Sequence, residues 1–179
     1  MDPSLLSDMN KDVNRLSVIA ERFSKIGSKP EMELIYVNEV LENATEYMRR
    51  RVSDKVLITT HLPSDAEGAM VCLSLFEWVI ENLCKNAVDA MNGEGRIDVY
   101  MTSEKQQIYI DIKDTGKGIA RKNFKTVFNP GYTTKKRGWG LGLTLAKRII
   151  EDYHAGRIYV KDSEVGKGTI FRIELKRVV

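Results

Sequence analysis

Apolar residues at Leu6, Met9, Val13, Leu16, Ala20 and Phe23 recur by alternating steps of three and four, the a/d seam of a coiled coil or a long bundle helix. Such a seam needs a partner helix. Gly27, Ser28 and Pro30 end the pattern, so the chain divides into an N-terminal helix within 1–29 and a second domain over 30–179. There the pattern changes. "ELIYV" is a short strand, and Asn38 is placed to cap a helix with apolar positions at Val40, Leu41, Ala44, Tyr47 and Met48. "KVLITTHL" is a second strand, closed by Pro63, Ser64 and Asp65. A long apolar helix runs from about Cys72 to Met91 and stops at Asn92, Gly93 and Gly95. "RIDVYMTS" and "QQIYIDIKD" form a hairpin, "LTLAKRIIEDY" is helical, and "GRIYVKDS" and "GTIFRIEL" are closing strands on either side of "EVGKG". Helices early and paired strands late predict an α+β fold, a two-layer sandwich with helices on one face of the sheet.

Composition narrows the partners. With 179 residues, 42% of them hydrophobic, the chain can bury one good core. A net charge of +3 is too mild to imply nucleic acid. No apolar run approaches the ~18 residues of a membrane span, and "MDPSLLSDMNKD" lacks the basic start and apolar core of a signal peptide. We therefore expect no membrane contact and a cytoplasmic setting. Cys72 and Cys84 read as members of one helix, about 18 Å apart, too far to pair; reduced, packed thiols follow.

Three stretches carry candidate chemistry. In "WVIENLCKNAVDAM" the positions Phe76, Val79, Ile80, Leu83, Ala87 and Ala90 make an apolar stripe, and Asn82, Asn86 and Asp89 cluster on its shoulder. They line a pocket rim or simply face water. Asp114 ends a strand and opens "DTGKG", either an ordinary turn or a carboxylate that accepts from an exocyclic amine, with Gly116 and Gly118 allowing close backbone approach. "GWGLGL" sets Gly138, Gly140 and Gly142 before an apolar helix, with Lys135, Lys136 and Arg137 just upstream. That is a phosphate cradle or a solvated basic loop. It matches neither G-x-x-x-x-G-K-[ST] nor G-x-G-x-x-G, and eukaryotic-type kinase signatures are absent.

In this order, over about Leu34 to Leu175, the segments resemble the ATP-binding catalytic domain of sensor histidine kinases. That superfamily also holds DNA gyrase, the ninety-kilodalton heat-shock chaperone and MutL. "NLCKNAVDA" is similar to its N box, "DTGKG" and "GWGLGL" to two glycine boxes, "VFNPGYTTK" to its F box and "GKGT" to a third glycine signature. The resemblance implies a Bergerat-type fold, with a mixed sheet covered by helices on one face, using ATP and Mg²⁺. It implies that Asn86 coordinates the metal, with Asn82 one turn earlier near the phosphates. Asp114 would bind the adenine amino group with Gly116 and Gly118 beside it, supported by Thr169. Lys135 would reach the phosphates, and Gly138, Gly140, Leu141 and Gly142 would form the lid hinge and phosphate loop. Phe128 and Tyr132 would anchor a short lid.

In gyrase-like relatives a glutamate one turn before the metal asparagine activates water; here that place is Asn82. Glu81 projects about 140° away from Asn86 around the helix. The expectation is slow hydrolysis and transfer to a histidine. Neither His61 nor His154 has the context of an acceptor. The heptad helix resembles the second helix of a dimerisation bundle, so the histidine-bearing helix is expected upstream of Met1. The full-length protein is expected to be a homodimer with a response regulator as partner, and can be the cytoplasmic part of a membrane-anchored sensor. Competing readings are a gyrase- or MutL-like ATPase and a non-catalytic, nucleotide-regulated dimerisation module.

Overall fold

An alternating strand places every second side chain on one face, and three long strands of this chain alternate strictly enough to fix two unlike sheet faces. The computed structural model describes residues 30–134 and 140–178. The heptad segment 1–29, with Lys135 and Gly138, lies outside the described residues. Strand β1 (Glu33–Tyr36) leads into helix α1 (Val37–Arg49), followed by β2 (Val56–His61), β3 (Gly68–Val71) and helix α2 (Leu73–Ala90). Then come β4 (Gly95–Glu104), β5 (Gln107–Asp114), two short 3₁₀ turns, helix α3 (Gly142–Arg148), β6 (Arg157–Glu164) and β7 (Gly168–Val178).

The sheet runs β1-β3-β7-β5-β4-β2, and β6 also pairs with β7. Neighbours are antiparallel except β2 with β4, which makes the sheet mixed. The eleven-residue β7 shares one edge between two partners, β6 along most of its length and β3 at Arg177 and Val178. On one face Ile97, Val99 and Met101 of β4, Ile108, Ile110 and Ile112 of β5, and Phe171, Ile173 and Leu175 of β7 are buried. The pairings Ile108↔Leu175, Ile110↔Ile173 and Ile112↔Phe171 hold them in one layer. Helix α2 lies on this layer through Phe76, Val79, Ile80 and Leu83, and α1 adds Val40, Leu41 and Met48. Each such side chain contributes roughly 1.5–3 kcal/mol when fully buried. The result is the expected α+β sandwich.

Four expectations need correction. Asn38 does not cap α1: the helix starts at Val37, and Asn38 Oδ1 instead accepts the Glu67 N–H at 3.3 Å. Tyr47 is exposed, with the Arg51 guanidinium 3.7 Å from its ring centre, and Thr45 takes the inner position. Strand β3 was absent from the expected elements because "GAMV" is only four residues long and reads as a lead-in to the helix. Cys72 sits at the N-cap of α2 rather than inside it; both cysteines are free.

His154 joins the two ends of the helical layer. Helix α3 loosens into a π-helical turn, Ile149–Tyr153, and the imidazole beyond it is 5% exposed. Its Nδ1 lies 2.7 Å from the Ile149 carbonyl, and its Nε2 accepts the Cys72 N–H at 3.0 Å. Accepting at Nε2 requires a neutral ring protonated at Nδ1. Burial pushes its pKa below the ordinary histidine value, although the Ile149 contact works the other way. Because the folded value is depressed, the unfolded chain takes up the proton first. This contribution to stability is therefore present at neutral pH and is lost as pH falls from about 7 toward 5. We predict that His154→Ala costs about 2 kcal/mol at pH 7 and reduces the slope of stability between pH 7 and pH 5. Urea unfolding at the two pH values measures both.

Candidate functional site

Asp114 closes the buried row of β5, standing where the apolar layer meets the loop that follows. Its strand partners on the same row are Ile97 of β4 and Thr169 of β7, and it is 4% exposed. Its Oδ1 accepts the Gly116 N–H at 2.7 Å, a tight bond of the charge-assisted kind. Among the described residues no Lys or Arg forms an ion pair with it. Burial pushes the Asp114 carboxyl up, and the N–H groups of Gly116 and Thr169 pull against that push without cancelling it. A carboxylate has about four lone-pair sites, so a group held by main-chain donors retains capacity to accept from a ligand.

Close main-chain approaches build the walls. A Cβ at Gly116 would lie 2.7 Å from the Ala90 carbonyl carbon, and the Lys117 N–H donates to the Ala90 carbonyl at 2.9 Å. The "DTGKG" loop is thereby pressed onto the end of α2. Gly168, at φ +121°, passes so near Asp114 that a Cβ would collide with the Asp114 carbonyl oxygen. Gly118, at φ +72°, does the same against the Glu164 carbonyl. The need for glycine at 116 and 118 thus arises from contact with the protein's own main chain, where the sequence suggested room for a ligand. Ser163, which sequence reasoning missed, ties this corner together. Its hydroxyl donates to the Gly168 carbonyl at 2.8 Å, lies 2.9 Å from Thr169 Oγ1 and accepts the Ile119 N–H at 2.8 Å. Only a turn-forming composition around it offered any signal.

The second cluster lies two turns earlier on α2. Asn82 faces the first turn of α3 so closely that a Cβ at Gly142 would lie 2.6 Å from its Oδ1. Its Nδ2 is fully buried and has no hydrogen-bond partner among the described residues. A buried amide donor left unpaired costs about 1–3 kcal/mol, and an anionic ligand between the helices would satisfy it. Asn86 follows one turn on, half-buried, and Asp89 is exposed. Glu81 points elsewhere and pairs with Lys85 at 3.4 Å.

Between the clusters the F-box segment meets the second glycine box. The Gly131 N–H donates to the Gly140 carbonyl at 3.1 Å, and Gly140 has φ +63°. Leu141 is the N-cap of α3. Thr144 Oγ1 donates to the Phe128 carbonyl at 2.9 Å, while the Phe128 ring meets Phe171 edge-on at 6.1 Å. Tyr132 is half-buried beside Gly140, and Lys117 Nζ donates to Thr134 Oγ1 at 2.7 Å. The structure thus gathers Asp114, Gly116, Gly118 and Thr169 into one corner and Asn82 with Gly142 into another. Helix α2 spans both, with Ala90 and Asn82 about 12 Å apart along its axis. No group of three or more His, Cys, Asp or Glu suited to a metal stands together among the described residues. An amide oxygen such as that of Asn86 is a hard donor of the kind Mg²⁺ accepts alongside waters and ligand oxygens. Among those residues no helix is long and apolar enough to cross a membrane.

Two outcomes follow for the ligand-free protein. Because the folded-state value of Asp114 is raised, its ionisation opposes folding, and stability falls as pH rises through that value. Asp114→Asn, which keeps an oxygen acceptor, should raise stability by about 1 kcal/mol at pH 7 in urea unfolding. Gly118→Ala should lower it by at least about 2 kcal/mol.

The family model described as "Histidine kinase-, DNA gyrase B-, and HSP90-like ATPase" matches residues 72–179. Sporulation kinase A of Bacillus subtilis (strain 168) is 40% identical over 99 residues, which are 55% of this chain and 16% of that protein. Full-length ShkA, solved in complex with AMPPNP, superposes with a TM-score of 0.81 at 21% identity, over 98% of this chain and 39% of that one. Histidine kinase ThkA, solved in complex with the response regulator protein TrrA, gives 0.79 at 20% identity, over 99% and 53%. The two structures share the fold. The chain spans about a sixth of the length of the curated relative.

Proposed function

As the chain belongs to the Histidine kinase-, DNA gyrase B-, and HSP90-like ATPase family, we propose that residues 30–179 are the ATP-binding catalytic domain of a sensor histidine kinase. It would transfer the γ-phosphoryl group of Mg-ATP to a histidine on another segment or another protein. One observation carries this reading: a buried carboxylate, unpaired by any cation among the described residues and anchored by the Gly116 N–H, stands at the end of an apolar layer. A carboxylate in that setting is an acceptor aimed at a neutral donor such as an exocyclic amine. Thr169 supports it, and Gly116 and Gly118 let the loop close against α2 and the β6–β7 hairpin. The 12 Å stretch of α2 from Ala90 back to Asn82 gives the ligand room to extend from base to phosphates.

At the far end the Asn82 amide, without a partner among the described residues, would donate to a phosphate oxygen, and the glycine box, Gly138, Gly140, Leu141 and Gly142 with Lys135 upstream, would serve the phosphates. Mg²⁺ held through the Asn86 amide oxygen would neutralise charge as the phosphoryl group leaves. Lys117, bridged to Thr134, joins the base-binding loop to the start of the lid. The response regulator as partner is supported by the complex in which ThkA was solved. The heptad seam supports a homodimer in the full-length protein.

A gyrase- or MutL-like ATPase is the weaker reading for a chemical reason. The side chain one turn before Asn86 is an amide, which cannot take a proton from water, and Glu81 is held by Lys85. With γ-labelled ATP and Mg²⁺ the chain should bind nucleotide, release phosphate slowly and leave no acid-labile label on His61 or His154. Asn86→Ala should remove the Mg²⁺ dependence of affinity in calorimetry. Rapid Mg²⁺-dependent phosphate release would instead support the ATPase reading.

A further inference from the structure

The face of the sheet opposite the helices carries a groove of about 340 Å³ that the nucleotide site does not use. It crosses four strands. Tyr100 and Thr102 come from β4, Tyr109, Asp111 and Lys113 from β5, Ile170 and Arg172 from β7, and Lys161 from β6. Asp111 is its anchor, receiving Arg172 through two bonds of 2.6 and 2.7 Å and Lys161 at 2.7 Å. Burial pushes the Asp111 carboxyl up, but the two cations outweigh that and hold it low. The Arg172 guanidinium also lies 5.0 Å from the Tyr109 ring centre. Tyr100 is fixed by parallel stacking on His61 at 4.3 Å, and His61 Nε2 lies 3.2 Å from the buried Asp98 carboxylate.

Three cations against one carboxylate leave the lining of the groove two charges positive, and among the described residues Lys113 forms no ion pair. Exposed ion pairs contribute little to stability by themselves, whereas cations held in place ahead of binding lose less side-chain freedom when a partner arrives. Tyr100, Tyr109 and Ile170 supply apolar surface between them, and Tyr and Arg are the residues that dominate protein interfaces. Four strands at about 4.8 Å spacing make a floor about 14 Å across, the length of roughly four extended residues.

We propose that this groove is a docking surface for an acidic peptide segment of a partner protein, with carboxylates set on Lys113, Lys161 and Arg172 and an apolar residue between Tyr100 and Tyr109. It lies on the reverse of the strands that carry Asp114 and Thr169, so occupancy leaves the nucleotide pocket open.

The test uses the whole 179-residue chain and a short fluorescein-labelled peptide of alternating Glu and Leu, followed by anisotropy at low and at physiological salt. We expect saturable binding that weakens with salt and falls about tenfold in the double variant Lys113→Gln, Lys161→Gln. ATP affinity should be unchanged in that variant, which shows that it is folded. In amide NMR spectra the shifts caused by the peptide should map to β4, β5 and β7 around Tyr100, Asp111 and Arg172. Equal binding of a Gln-for-Glu peptide, no loss in the double variant, or no saturable binding at low salt would each overturn the proposal. So would a single-stranded oligonucleotide that displaces the peptide and binds this face more tightly.

Discussion

A carboxylate can be kept away from water without a cation only if hydrogen-bond donors reach it, and main-chain donors reach Asp114 because neighbouring residues have no side chain in the way. The Gly116 N–H at 2.7 Å meets the first condition. Gly116 against Ala90, Gly118 against Glu164 and Gly168 against Asp114 meet the second, each at a distance no Cβ could occupy. Once these approaches exist, the rest of the corner is determined. The loop after β5 must lie on the end of α2, the β6–β7 hairpin must close over that loop, and Ser163 must satisfy the polar groups so enclosed.

The two faces of the sheet divide the work. On the inner face the rows of Ile, Val, Leu and Phe give α2 a rigid bed, and Asp114 and Thr169 are polar residues at the end of that bed. On the outer face the same strands carry Asp111, Lys113 and Arg172, one position away from the inner set. Period-two alternation thus lets one strand serve a dry corner at Asp114 and a wet charged groove. Helix α2 does the equivalent lengthwise. Its apolar stripe is buried, while the polar shoulder presents Asn82 and Asn86 along the axis that a nucleotide would follow.

Much of this was legible in the residues, because strong periodicity and turn chemistry agree. The hairpin of β4 and β5, the long helix α2 and the closing pair β6 and β7 all announce themselves by alternation or by a 3.6-residue stripe bounded by Gly and Asn. Residues whose role depends on distant neighbours were not legible. Strand β3 is four residues long and exists because β1 and the end of β7 flank it. Asn38 has the right type for a cap, yet a contact with Glu67, far along the chain, claims its side chain. For the site, the glycine positions could be read but their reason could not. Only the folded chain shows that 116 and 118 are crowded by protein, and that the Asn82 amide has no partner among the described residues.

Asp114 is proposed to read an exocyclic amine. The direct measurement compares ATP with inosine triphosphate, which carries a carbonyl oxygen in place of that amine, by calorimetry on the wild-type chain and on Asp114→Asn. The wild-type chain should prefer ATP by about a hundredfold or more, since a buried carboxylate facing a carbonyl has no donor on its ligand side. The preference should shrink to a few-fold in Asp114→Asn, whose amide can donate to that carbonyl. Equal affinity of the wild-type chain for both nucleotides would contradict it.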